Sequence, residues 1–126
     1  MTASPIRRQR GTLARRDGRR GEMLCAVLLM AKGYRIIGFR MKTAQAEIDL
    51  LAVRRGVVAV IEVKRRTSME AALEAVTPRQ RDRLLAAARS IAVRRPDLAD
   101  APVRMDLIAL APGRWPRHIR DAWRDD

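Results

Sequence analysis

The chain has 126 residues, the length of one domain, and its 48% hydrophobic and 33% charged residues can bury a core, which excludes a chain disordered throughout. A single Cys and a single His exclude a zinc finger and a disulfide scaffold. The 27 Lys and Arg against 14 Asp and Glu leave a net charge of +13, a field suited to a polyanion, nucleic acid first.

Residues 1–16 are rich in Arg without apolar periodicity and read as a basic, flexible arm, so that one domain is expected over residues 17–126. From Asp17 or Gly18 to Lys32 the apolar positions 23, 24, 27, 28 and 31 follow a helical stripe, with Gly33 as a left-handed cap. The apolar run Met23 to Ala31 is far shorter than the roughly 18 residues of a membrane span. Arg19-Arg20 ahead of it imitates an export signal. Glu22 interrupts the junction and Lys32-Gly33-Tyr34 replaces a cleavage site, so the segment reads as a mature helix and the expected location is cytoplasmic. Cys25 within the run is expected to be a small buried thiol.

Three strands follow, over Tyr34 to Met41, Ala46 to Val53 and Val57 to Lys64, the last two joined by an Arg54-Arg55-Gly56 turn. Met69 to Val76 reads as helix. Thr77-Pro78 then starts a longer one, Thr as cap and Pro at the first helical position, running to about Val93 with Leu84, Leu85, Ala88 and Ile91 on one face. Val103 to Leu110 is a further strand, and Ile119 to Trp123 is either a short strand or a helical turn. The order helix, three strands, helix, strand predicts an α/β fold with a mixed central sheet flanked by helices.

Asp49, Glu62 and Lys64 carry the chemistry. Glu62 and Lys64 are two apart on a strand and share a face. If Arg55-Gly56 is a two-residue hairpin loop, Arg54 pairs with Val57, and five steps back on each strand sets Asp49 opposite Glu62. Directly opposed side chains have Cβ atoms about 4.5 to 5.5 Å apart, where like charges destabilise the sheet and need compensation. A divalent cation, Mg²⁺ or Mn²⁺, compensates two hard carboxylates. With Lys64 beside it, such a centre suits phosphodiester hydrolysis: the cation polarises the phosphate and acidifies water, and the ammonium stabilises developing charge or orients the nucleophile. The other reading of the same residues is a cross-strand ion-pair cluster. Both acids interrupt apolar strands, and Lys64 is one of three Lys in a chain that otherwise uses Arg.

Gly21-Glu22, Gly33-Tyr34, Glu47-Ile48-Asp49-Leu50, Glu62-Val63-Lys64-Arg65, Arg104-Met105-Asp106-Leu107 and His118-Ile119 span about residues 15 to 123. In that order and spacing they resemble the YraN family of small bacterial proteins, placed in the restriction-endonuclease-like PD-(D/E)XK superfamily. The resemblance implies an αβββαβ core, Asp49 and Glu62 as metal ligands together with the Val63 carbonyl, Lys64 as the catalytic lysine, and Glu22 as a helix acid completing the site. Ala46 stands where the family usually has Gly, Arg79 where it often has Lys, and Phe39 where an Asn often precedes Arg40; none of these touches Asp49, Glu62 or Lys64.

Arg65-Arg66 and Arg40 are candidates to hold a phosphate beside that centre, as are Arg79 and Gln80 at the start of the long helix; solvated surface is the alternative for each. His118 reads as structural or surface, Asp106 as the partner of a local Arg, and Trp115 and Trp123 as packing residues. Four aromatics are too few for a base-stacking platform. The expected function is a Mg²⁺-dependent DNA endonuclease, attacking the phosphodiester in line with water, selective by fold-level analogy for branched or nicked DNA. The alternatives are a non-catalytic basic module that binds nucleic acid in recombination or DNA uptake, and an RNA- or ribosome-associated protein. Two-fold homodimerisation stays open.

Overall fold

The computed structural model describes residues 20–124; the basic arm expected over residues 1–16 lies outside them. Helix α1 covers residues 20–31 and ends as the sequence predicts. Gly33 sits at φ +93°, its amide donates to the Met30 carbonyl, and the Tyr34 amide donates to that of Leu29. These two bonds satisfy carbonyls the helix leaves open, in a conformation a side-chain-bearing residue resists.

Five strands follow: β1 Arg35–Lys42, β2 Glu47–Arg54, β3 Val57–Arg65, β4 Val103–Leu110 and β5 Arg117–Ile119, with helices α2 Met69–Glu74 and α3 Pro78–Ala92 between β3 and β4. They lie side by side in chain order in one mixed sheet. The pairs β1/β2, β2/β3 and β4/β5 are antiparallel, whereas β3 and β4 are parallel and are joined by the α2–α3 crossover. Arg55 and Gly56 both have positive φ, 50° and 76°, so the β2–β3 connection is the two-residue turn the sequence predicts. Helix α3 begins with a reciprocal cap: the Gln80 amide donates to Thr77 Oγ1 at 3.1 Å and the Thr77 amide to Gln80 Oε1 at 2.9 Å.

The sheet is covered on both faces. On one, Cys25, Ala26 and Leu29 of α1 pack over Leu50, Ala52, Ala59, Ile61, Ile108 and Leu110. On the other, Leu84, Ala87, Ala88 and Ala92 of α3 pack over Leu51, Val53, Val58, Val60 and Met105. The alternation of β2 and β3 between these layers is the period-two pattern of a strand buried on both sides.

Two expectations are corrected. The stripe assigned to α1 is not its buried face: Met23, Leu24, Val27 and Ala31 are exposed and Leu28 is only half-buried. The small residues turn inward instead, and a Cβ on Gly21 would stand 2.8 Å from Leu110 Cδ1, so a bulkier face cannot approach the sheet this closely. Trp115 is 83% exposed rather than packed, because it follows the Pro112-Gly113 turn outside the sheet. Trp123 does pack, its indole N–H donating to the Leu73 carbonyl at 3.1 Å. The last segment, Ile119 to Trp123, is mostly turn: a short strand, β5, ends at Ile119, and residues 120–123 form a turn.

A buried polar network ties β5 to β4. Asp106 accepts from Arg104 Nε at 2.7 Å, Arg104 Nη2 at 2.8 Å, His118 Nε2 at 2.8 Å and the Asp121 amide at 3.0 Å. Lys32 Nζ lies 3.0 Å from His118 Nδ1, and since an ammonium only donates, the imidazole proton sits on Nε2, facing Asp106. His118 and Asp106 therefore have the structural roles read from the sequence. No helix among the described residues is long and apolar enough to cross a membrane.

Candidate active site

Beyond the two-residue turn, β2 and β3 pair in the register counted from the sequence, from Arg54↔Val57 to Leu50↔Ile61. There the sheet forks. β2 stays with β1 down to Glu47, paired with Lys42, while β3 stays with β4 up to Arg65, paired with Leu110. Asp49 and Glu62 are the first residues past the fork. Asp49 Oδ2 takes the Val63 amide at 3.0 Å, a donor that a continued ladder would give to a β2 carbonyl. The side-chain alternation of β2 also breaks at Asp49, for Ile48 joins the α3 layer and Leu50 the α1 layer. On the neighbouring strand Arg40 sits in the left-handed region at φ +46°, a conformation that costs a non-glycine residue about 1 kcal/mol or more.

The two carboxyls meet in this fork. Burial pushes the Glu62 carboxyl up from its ordinary 4.5 to about 9, the hydrogen bond to Asp49 and the charge of Asp49 push the same way, and Lys64 opposes them. A pair of carboxyls in contact, one of them raised by burial and by the other, is a donor set that fits a hard divalent ion. Mg²⁺ commonly takes one or two carboxylates from a protein and completes its shell with water and phosphate oxygens. Among the described residues no group of three or more His, Cys, Asp and Glu side chains converges as a metal site, so the fork offers two carboxylates and the neighbouring Val63 carbonyl. Lys64, two residues after Glu62 and half-buried, shares its strand face.

Glu22 projects from α1 toward the same region, but its carboxylate is engaged by Arg40. Arg40 Nε lies 3.0 Å from Oε1 and 2.8 Å from Oε2, with the Glu22 side chain only 14% exposed. That hydrogen bond and the Glu22 charge raise the Arg40 guanidinium above its usual range. Arg40 thus spends its Nε on Glu22 rather than offering it to a phosphate. Cys25, one helical turn after Glu22, is a buried thiol pushed up to about 12 by burial and then by the charges of Glu22 and Asp49, so it is not a nucleophile.

Arg65 and Arg66 are exposed at the end of β3. The Arg66 guanidinium donates to the Arg65 carbonyl at 2.8 Å, and the guanidinium of Arg65 reaches back toward Gly21. Arg79 is exposed in the first turn of α3. Gln80 caps α3 and also lines a depression of about 240 Å³ whose wall includes Glu62, Glu47 and Arg83. Sequence reasoning did not select Glu47 or Arg83. The available signal was spacing: Glu47 lies two residues before Asp49, and Arg83 one turn after Gln80.

Residues 21–110 match the uncharacterised protein family UPF0102. A UPF0102 protein of Caulobacter sp. (strain K31) is 66% identical over 114 residues, 90% of this chain and 82% of its own length. One of Caulobacter vibrioides (strain NA1000 / CB15N) is 59% identical over 96% of this chain and 97% of its own, and one of Parvibaculum lavamentivorans is 47% identical over 90% and 86%. The chain belongs to the uncharacterised protein family UPF0102, the YraN family.

Proposed function

We propose that the protein is a Mg²⁺- or Mn²⁺-dependent nuclease that hydrolyses phosphodiester bonds, with DNA as the substrate, at the fork between β2 and β3. The observation that carries this reading is the meeting of Asp49 and Glu62, from two strands, where the sheet opens, with Lys64 on the same strand face as Glu62. Two carboxyls in contact destabilise an apolar sheet unless something between them is worth the cost. A cross-strand ion pair does not explain them, because neither acid has a salt-bridge partner within 4 Å among the described residues.

In this reading Asp49 and Glu62 hold the cation with the Val63 carbonyl, and the cation, when bound, supplies charge stabilisation at the phosphate and acidification of water. Asp49 is oriented by the amide of Val63, which fixes one of its oxygens. Lys64 donates to the phosphate oxygens as charge accumulates on them. Glu22 acts through Arg40, anchoring the irregular step of β1 that lies beside Asp49. The net charge of +13 draws the polyanion toward this acidic fork.

The test is cleavage of duplex, nicked, flapped, four-way-junction and single-stranded DNA, and of RNA, with Mg²⁺ or Mn²⁺. Wild type is compared with Glu62→Ala and Lys64→Ala. Wild type is expected to cut at least one DNA, with the Lys64 variant slowed by about 10²-fold or more and the Glu62 variant inactive. Equal residual cleavage by all three proteins assigns the activity to a contaminant. Tight binding without product by the wild type supports instead a module that holds nucleic acid without cutting it.

A further inference from the structure

A second depression, of about 430 Å³, adjoins the acidic one. It lies between the β1–β2 turn and the C-terminal end of α3, and it is lined by Lys42, Thr43, Gln45, Ser90, Arg94 and Arg95 among others. Gln45 lines both depressions, so they adjoin at its side chain. Their linings differ in charge. The first holds the carboxyls of Glu47 and Glu62 beside Arg83, whereas the far end presents three cations and no carboxylate.

Those cations are weakly neutralised. Among the described residues the side chains of Lys42 and Arg94 have no hydrogen-bond or ion-pair partner. Arg95 has only Asp97, at 3.6 Å, and shares it with Arg35, which lies closer at 3.1 Å. The Nε of Arg95 is buried without a hydrogen-bond partner. A depression of about 620 Å³ elsewhere makes a contrast: with Asp82 and Asp121 beside Arg81 and Arg104, its charges cancel. The periodicity of α3 builds one wall of the two-part groove, since Gln80, Arg83, Leu84, Ser90 and Ile91 recur at helical spacing along one side, and Arg94 follows in the turn just past the helix end. From Arg83 to the helix end at Ala92 the rise is roughly 14 Å, the axial length of about four phosphate steps on one strand of a duplex.

We propose that this groove is the track for a nucleic-acid backbone: Lys42, Arg94 and Arg95 bind consecutive phosphates of the strand whose scissile phosphate lies at the fork, and Arg83 bridges the two ends. The inference rests on the proposed nuclease site for the position of that phosphate, but the phosphate binding stands without cleavage. Ser90 and Thr43 already spend their hydroxyl hydrogens on the Ala87 and Ala46 carbonyls, so recognition falls to the cations and is indifferent to base sequence.

The experiment measures affinity for fluorescein-labelled single-stranded DNA, duplex DNA and RNA over a range of salt, with chelator present so that nothing is cut. Lys42→Glu/Arg94→Glu is compared with Arg114→Glu/Arg117→Glu, an equal charge change beside and on β5, at the opposite edge of the sheet. The groove variant is expected to lose at least about tenfold more affinity than the control. The milder Lys42→Ala/Arg94→Ala should flatten the slope of log affinity against log salt by roughly 1.4 on single strands or 1.8 on duplex. The arm with the largest loss identifies the strand the groove holds. Equal losses in groove and control variants overturn the inference while leaving the cleavage result untouched. A wild type that binds through the groove yet cuts nothing overturns the nuclease reading and leaves the track standing.

Discussion

Asp106 has no exposed surface, and both of its oxygens are occupied by donors from Arg104, His118 and the Asp121 amide. Burial alone raises a carboxyl, but hydrogen bonds from His118, Arg104 and Asp121 outweigh it and hold Asp106 below its ordinary value. The unfolded chain therefore takes up this proton more readily than the folded one. The contribution is fully present above about pH 4, the unfolded value, and is lost as the pH falls below it. Asp106→Ala, which strands a guanidinium and an imidazole, is expected to cost about 3 kcal/mol in urea unfolding at neutral pH. In Asp106→Asn the acid limb of stability against pH should be shallower than in wild type; an unchanged limb would assign acid sensitivity to other carboxyls. Part of this was legible, since Arg104 and Asp106 are two apart on a strand and share a face. The closure by His118 and Asp121 was not, because nothing in their local spacing points to β4. The same division holds at the fork: Asp49 and Glu62 follow by counting from one turn, whereas the Glu22–Arg40 pair joins a helix to an edge strand at a separation no periodicity encodes.

Helix α1 shows where an element becomes ambiguous. Its end was marked by Gly33, and its composition is apolar nearly all round, so hydrophobic spacing alone does not select the buried side. Steric room selects it: Gly21, Cys25 and Ala26 allow close approach to Leu50, Ala59 and Ile61, and leave Met23, Val27 and Met30 in solvent. The consequence is measurable. Leu29→Ala empties a fully buried site and is expected to cost about 2 to 5 kcal/mol. Val27→Ala removes exposed surface and should stay within about 0.5 kcal/mol of wild type. Equal costs for the two substitutions would mean that the outer stripe is covered in solution. By contrast, β2 and β3 were readable nearly to the residue, because a two-residue turn with positive φ at Arg55 and Gly56 fixes the register and the register fixes the faces.

At the scale of the molecule, a strongly cationic chain places Glu22, Glu47, Asp49 and Glu62 around one end of its sheet, with a cation-lined groove leading away. Such a distribution concentrates a polyanion and reserves one acidic point within it, and it carries a cost in self-repulsion. Among the described residues ion pairs engage Arg35, Arg40, Arg95, Arg104 and His118, fewer than the exposed Arg side chains the surface carries. Raising NaCl from about 0.01 M to about 0.15 M shortens the screening length from about 30 Å to about 8 Å. Long-range repulsion then fades while the short bonds to Glu22 and Asp106 survive, because those carboxylates are buried or nearly so. The folded protein is therefore expected to gain on the order of 1 kcal/mol, a rise in Tm of about 4 °C for a chain of this length. Over the same range its affinity for DNA should fall, as bound phosphates no longer release a dilute ion atmosphere. Opposite responses of stability and affinity to one salt titration are the signature of a surface whose charge serves a ligand rather than the fold. A Tm that fell with salt would show instead that the surface charges are paired for stability, and the cationic groove would lose its strongest reason to exist.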